Sequence, residues 1–273
     1  MLCWLPLFAV LVSGCATREP GDDRREALLA VLWTQTSAEY RGATRQAYRL
    51  AASNLNRALA EPAWTAALEQ GGADDDLPPA IILDLDQTVL DTGPYNAGLI
   101  RDRERHTQRR FAEWCRDSPA PAIPGARDFI LHAVRLGVAV FYISARHETL
   151  RDCTAGNLRA LGLPLAGPGH LLLKRDKPAT RKTLQRARVA ERHRVLLLIG
   201  DDLNDFVDGA KSDPETRGAL VEAHRERWGA QWILLPNPMF GSWEGALHGF
   251  DYGLPHAQRL DRLIRRLQRP SGP

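Results

Sequence analysis

Cysteine is scarce in this chain, and what the sequence lacks removes several chemistries at once. Four cysteines occur in 273 residues, with no Cys-x-x-Cys pair and no histidine pair at metal-ligand spacing, which argues against a zinc site of ordinary construction. The opening apolar run, residues 2–12, falls short of the roughly 20 residues a bilayer-spanning helix needs. Internal repeats and low-complexity tracts are missing too, so a repeat array is not the plan. A large charge excess is also absent: the net charge is +3 and the pI about 8.8. That balance suits an anionic small molecule or a membrane surface, and a solvated Arg-rich surface accounts for it as well; no nucleic acid polymer is expected as a partner. With 44% hydrophobic and 25% charged residues, wholesale disorder is excluded, and the length allows one sizeable core with a smaller subdomain.

The short apolar run is followed by Ser13-Gly14-Cys15 and then a polar stretch, which reads as a cleaved secretory segment. The ending Leu11-Val12-Ser13-Gly14-Cys15 resembles the lipobox of bacterial lipoproteins, whose cysteine is lipidated and becomes the new N-terminus. By that resemblance residues 1–14 are a signal peptide, 15–25 a tether lipidated at Cys15, and the location is the cell envelope. Ala16 resembles the residue that sends such proteins to the outer membrane. One departure stands out: no Lys or Arg precedes the run, as if the start were placed too late. The competing reading is an apolar N-terminal strand or helix buried in the fold. Past Gly14, only Cys115 and Cys153 remain inside the domain; they are free to pair in an oxidising compartment, but two cysteines give no framework.

Helical spacing of Ala, Leu, Tyr and Trp over residues 26–68 predicts a helix over 28–60, broken near Gly42 or Ser53, and a short one around Trp64. Gly71-Gly72, three acids and Pro78-Pro79 read as a linker. The chain then changes character. Continuous apolar runs at 80–85, 138–143, 170–173, 195–199 and 232–235 read as buried parallel strands, with helical patterns at 126–135, 150–161 and 179–190 between them. The fold class expected is α/β, a doubly wound Rossmann-like parallel sheet with a smaller helical cap. Residues 26–76 are expected to pack with that cap, 77–250 to form the core with a helical insert at about 92–124, and 251–273 to form a C-terminal helix and tail.

Chemistry in a doubly wound sheet gathers at the carboxyl ends of the strands. The first run ends Asp84-Leu85-Asp86-Gln87-Thr88, the second Ser144-Ala145-Arg146, and the fourth Gly200-Asp201-Asp202-Leu203-Asn204-Asp205. So many carboxylates at one sheet edge are costly without a cation, and their hard oxygens suit Mg2+.

The Asp-x-Asp-x-Thr pattern, Ser144, Lys182 and Gly200-Asp201-x-x-x-Asp205 resemble, in order, the four motifs of the haloacid dehalogenase superfamily. The closer resemblance is to class C (lipoprotein) acid phosphatases, the DDDD phosphatases. It extends through Pro94-Tyr95, Pro124-Gly125, Leu235-Pro236-Asn237 and Gly241-Ser242-Trp243-Glu244-Gly245. This implies a Mg2+-dependent phosphomonoesterase that acts on nucleoside 5′-monophosphates through an aspartyl-phosphate intermediate. Asp84 is then the nucleophile and Asp86 the acid that protonates the leaving group; Ser144 and Lys182 hold the phosphoryl group. Mg2+ is then held by Asp84, Asp201, the Asp86 carbonyl and, directly or through water, Asp205. Lys174 and Lys177 compete with Lys182 for the motif lysine, and Ala145 stands where relatives carry Asn. Tyr95, Trp114, Arg146 and Phe240 are the expected substrate contacts, Phe111 and Trp243 being further aromatic candidates. Relatives imply a homodimer. Two other readings are a non-catalytic surface lipoprotein that binds a ligand, and a cytosolic sugar-phosphate phosphatase with a misread N-terminus.

Overall fold

The five apolar runs become five parallel strands: β1 (Pro79–Leu83), β2 (Ala139–His147), β3 (Leu171–Lys174), β4 (Arg194–Gly200) and β5 (Trp232–Leu234). The computed structural model describes residues 27–71, 76–117, 119–175 and 181–267; the leader, Cys15 and Lys177 lie outside them. The strand order is β3-β2-β1-β4-β5, every neighbouring pair parallel. All seven residues of β4 are buried, as a central strand covered on both faces requires. One apolar layer, containing Leu55, Ile130, Leu83 and Leu197, covers one face, and another, containing Phe206, Trp232, Ile82 and Leu198, covers the other. The chain order reverses between β1 and β4, so a crevice opens at their carboxyl ends.

The helices are α1 (Leu28–Thr36), α2 (Ala38–Ala60), α3 (Gly93–Arg101), α4 (Gln108–Asp117), α5 (Ala126–Arg135), α6 (Arg151–Ala160), α7 (Lys182–Ala190), α8 (Pro214–Ala223), α9 (Ser242–Leu247) and α10 (His256–Arg266). The N-terminal helix breaks at Ser37 rather than near Gly42 or Ser53. Ser37 takes an extended backbone, and its Oγ accepts from the Tyr40 N–H at 3.0 Å, an N-cap that starts α2. Gly42 is harmless mid-helix because a side chain there meets nothing within 4 Å. No helix forms around Trp64. That segment gives its hydrogen bonds to β4 instead: Trp64 Nε1 donates to the Leu196 carbonyl at 2.7 Å and Ala66 N to the Val195 carbonyl at 2.7 Å.

Tyr40, Thr44, Tyr48, Ala51, Leu55 and Ala58 form the buried face of α2, which packs on α5, β4 and β5; α1 lies against α3. The insert after β1 supplies α3 and α4. A disulfide joins Cys115 of α4 to Cys153 of α6 with a Cα separation of 5.8 Å, resolving the pairing the sequence left open.

Candidate active site

The backbone of Asp84 continues the ladder beyond β1, its N–H donating to the Ile199 carbonyl at 2.9 Å, so its carboxylate stands at the crevice. A tight loop follows. The Leu85 carbonyl accepts from Val89 N at 2.8 Å and Leu90 N at 2.7 Å. Gln87 adopts a left-handed backbone with φ 58°, and its side chain accepts from the N–H and hydroxyl of Thr92. Tyr48 on α2 donates to the Thr88 carbonyl at 2.7 Å, fixing the loop from the N-terminal side.

Lys182 opens α7, and its Nζ donates to Asp84 Oδ1 at 2.6 Å and to Asp205 Oδ1. Lys174 lies exposed at the end of β3. The Asp205 carboxylate folds back over the end of β4, where its Oδ2 accepts from Asp201 N at 3.2 Å and Asp202 N at 3.0 Å. Only glycine permits this fold-back: a Cβ on Gly200 would sit 2.2 Å from Asp205 Oδ2. Asp201 accepts from Thr88 Oγ1 at 2.9 Å and from Asn237 Nδ2 at 2.8 Å. Oxygens of Asp84, Asp201 and Asp205 lie within 4.8 Å of one another.

Three carboxylates around one ammonium are under-compensated. Burial, against the pull of Lys182 and with help from Asp205 and Asp86, pushes Asp84 up to about 7. Burial also lifts Asp201 well above the usual carboxylate range, with Asp84 and Asp205 adding to it. Asp205 rises through burial, opposed by Lys182. Burial alone favours neutral Lys182, yet Asp205 and Asp84 more than offset it and keep the ammonium charged. Hard oxygens crowded beyond what one lysine neutralises fit a divalent cation.

Asp86 points elsewhere. Arg146 Nη2 donates to its Oδ1 at 2.7 Å and Nε to its Oδ2 at 3.0 Å, a fork that fixes the carboxyl's position. Arg146, expected as a substrate contact, is instead a buried partner of Asp86, its side chain only 1% exposed. It reaches that place because β2 alternates, turning Ser144 and Arg146 inward and Ala145 out. Arg146 Nη1 donates to Thr154 Oγ1 at 3.1 Å, and its guanidinium lies 5.2 Å from the Phe111 ring centre. Ser144 is buried, its Oγ accepting from Arg146 N at 3.1 Å.

Tyr95 packs on Phe111 at 5.1 Å and Trp114 at 5.3 Å, and its hydroxyl meets His106 Nδ1 at 2.9 Å. Phe240 stays outside that cluster, half-buried after β5, its carbonyl accepting from Trp243 Nε1 at 3.2 Å.

Sequence reasoning missed several supports. Asn237 and Thr88 stood in the quoted stretches with no role given. Asp202 holds Ser242 N at 2.6 Å and Ser242 Oγ at 2.7 Å, tying α9 to the loop after β4. Arg186, fully buried on α7, donates to the carbonyls of Asn204 and Asp205 at 3.1 and 3.0 Å while paired with Glu69 at 2.7 Å. Nothing local in the sequence sets Arg186 apart from its basic neighbours; its role arises only when residues 69, 186 and 205 meet.

A family model described as HAD superfamily, subfamily IIIB (Acid phosphatase), matches residues 22–243. The class C acid phosphatase from Bacillus anthracis superposes with a TM-score of 0.80 at 31% identity, over 91% of this chain and 99% of that one. A structure of the B. anthracis enzyme with tungstate bound gives 0.81 at 30%, with the same coverage. Acid phosphatase 1 of Solanum lycopersicum is 27% identical over 166 residues, 58% of this chain and 57% of that protein, so the match spans little more than half of the tomato protein.

Proposed function

Because this chain belongs to the HAD superfamily's subfamily IIIB of acid phosphatases, we propose that it hydrolyses phosphomonoesters, nucleoside 5′-monophosphates among them, with Mg2+ at Asp84, Asp201 and Asp205. The observation that carries this reading is the division of the two neighbouring acids. Asp84 sits among Lys182, Asp201 and Asp205, while Asp86, two residues on, is held apart by Arg146.

When bound, the cation offsets repulsion between the nucleophile and the phosphate and spreads the transferring charge. The chain's own residues do the rest. An Asp84 oxygen forms a bond to phosphorus as the ester P–O bond breaks, and the Asp86 proton passes to the departing alkoxide. Water then attacks the aspartyl-phosphate and gives a proton to Asp86, releasing phosphate and restoring Asp84. Lys182 supplies fixed positive charge beside the nucleophile, and Ser144 donates to a phosphoryl oxygen. Tyr95 and Phe111, both expected as substrate candidates, are buried and back Trp114, whose part-exposed ring near the Arg146–Asp86 pair favours a leaving group with a flat ring.

The test is phosphate release from a panel of nucleoside 5′-monophosphates, sugar phosphates and an aryl phosphate, with Mg2+ present. Nucleotides are expected to show a kcat/KM about tenfold above sugar phosphates, a stacking increment of about 1–3 kcal/mol. Equal rates on both classes would remove the nucleotide preference, and no release from any ester would overturn the whole reading.

The envelope location belongs to the same proposal. The Cys115–Cys153 disulfide supports an oxidising compartment and speaks against the cytosolic alternative. Cys15 is the lipidation site in this reading. Radiolabelled fatty acid is expected to enter the wild-type protein in cells and to be lost in Cys15→Ser; undiminished labelling of that variant would refute anchoring there.

A further inference from the structure

Helix α10 is built inside out for a helix packed on a protein core. Leu260 and Ile264, one turn apart on α10, and Leu267, which caps its end with an extended backbone, are 37%, 54% and 73% exposed. Polar side chains hold the helix to the body instead. Arg262 Nη1 donates to the His248 carbonyl at 3.0 Å, and Arg266 Nη1 lies 3.1 Å from Glu215 Oε1. None of its residues is buried. Among the described residues no helix is long and apolar enough to cross a membrane, and α10 has 11 residues.

We propose that α10 is a peripheral membrane-docking helix, its Leu260–Ile264–Leu267 stripe entering the interface of an anionic bilayer. Arg265, whose partner Asp261 lies on the helix itself, then reaches the lipid phosphates, while Arg262 and Arg266 keep the helix on the body. Charge complementarity decides the occupant. The helix carries Arg259, Arg262, Arg265 and Arg266 against Asp261, and with Glu215 beside Arg266 the patch stays net positive. An apolar stripe flanked by arginines on a short helix is the pattern that lies in a lipid interface. A second copy is a poorer partner, because two such helices face each other with like charge. Three side chains also offer far less than the roughly 800 Å² per partner of a stable protein interface. The docking face lies on the body's own C-terminal helix and is independent of whether Cys15 carries lipid.

Limited trypsin digestion tests this on the full chain, since Arg262, Arg265 and Arg266 place cleavage sites in the helix. The protein is mixed with vesicles rich in phosphatidylglycerol, with vesicles of phosphatidylcholine alone, or with none. Cleavage in α10 is expected to slow by about tenfold on the anionic vesicles only, and the protection to vanish at high salt. The triple variant Leu260→Ser, Ile264→Ser, Leu267→Ser should lose the protection while its aryl phosphate turnover stays unchanged, showing that it is folded. Equal cleavage on anionic and neutral vesicles overturns the proposal. So does protection that appears without vesicles and grows with protein concentration, which would assign the stripe to a second copy. Fatty-acid labelling at Cys15 is read separately, so failure of the anchor and failure of the helix are distinguishable.

Discussion

Asp84→Asn is expected to lower kcat on an aryl phosphate by about 10⁴-fold while leaving the protein folded and at least as stable at neutral pH. The amide keeps the size and planarity of the carboxyl and removes the nucleophilic oxygen. Its effect on folding has the opposite sign from its effect on turnover. Asp84 is buried, and its carboxyl is pushed up to about 7 by that burial and by Asp205 and Asp86, against Lys182. Ionising it near neutrality therefore strains the metal-free native state, and a neutral amide relieves that strain. Lys182 keeps Asp205 as a partner, so the variant does not leave a buried ammonium alone. Kinetics and a thermal melt on the same preparation check both halves. A variant retaining a tenth of wild-type turnover would rule out Asp84 as the nucleophile. One that fails to fold would show that its carboxylate is structural.

How far this site could be read from sequence follows from where each residue's signal resides. Asp84, Asp86, Ser144 and Asp201 each terminate or follow an apolar run, and a parallel sheet must bring such ends to one edge; the motif order made them legible. Lys182 and Lys174 competed along the chain, and space separates them: as the first residue of α7, Lys182 reaches Asp84 and Asp205, whereas Lys174 lies exposed at the end of β3. Arg146 was placed correctly along the chain and wrongly toward its partner, because the alternation of β2 gives direction but not what waits there. Glu69, Arg186 and Asn237 lie outside the four motifs, and their roles depend on pairings across 117, 19 and 36 residues. The break at Ser37 was missed because a mid-pattern serine caps a helix only if the chain actually turns there. The helix expected around Trp64 failed for the converse reason, since tertiary hydrogen bonds to β4 outbid a weak local preference.

Chelation is expected to remove turnover almost completely and to expose a pH-dependent loss of stability that a divalent cation reverses. The sign follows from the carboxylates. In the metal-free protein Asp84 binds its proton up to about 7, against an ordinary value of 3.8, and Asp201 and Asp205 are displaced in the same direction by burial. Below the ordinary value both native and unfolded chains are protonated, and the stability is fully present. Raising the pH through the window from about 4 to about 7 ionises the unfolded chain first, so the unfolded state gains and the native state loses. A cation held by the three carboxylates takes the place of the missing protons, and protons compete with it at the acid end. Melting in EDTA should therefore show Tm falling between about pH 4 and about pH 7, with Mg2+ adding little at the lower limit. Near neutrality, Mg2+ at about 100 times its Kd contributes about 2.7 kcal/mol, a rise of about 5–10 °C for a chain of this size. The same addition should restore phosphate release. A Tm that ignores both pH and Mg2+ across this window would mean that Lys182 alone neutralises the cluster. Turnover unaffected by EDTA would remove the cation from the reaction. The two readouts are separable because Asp84→Asn, which lacks one of the three carboxylates, should flatten the pH dependence of Tm in EDTA without restoring activity under any metal.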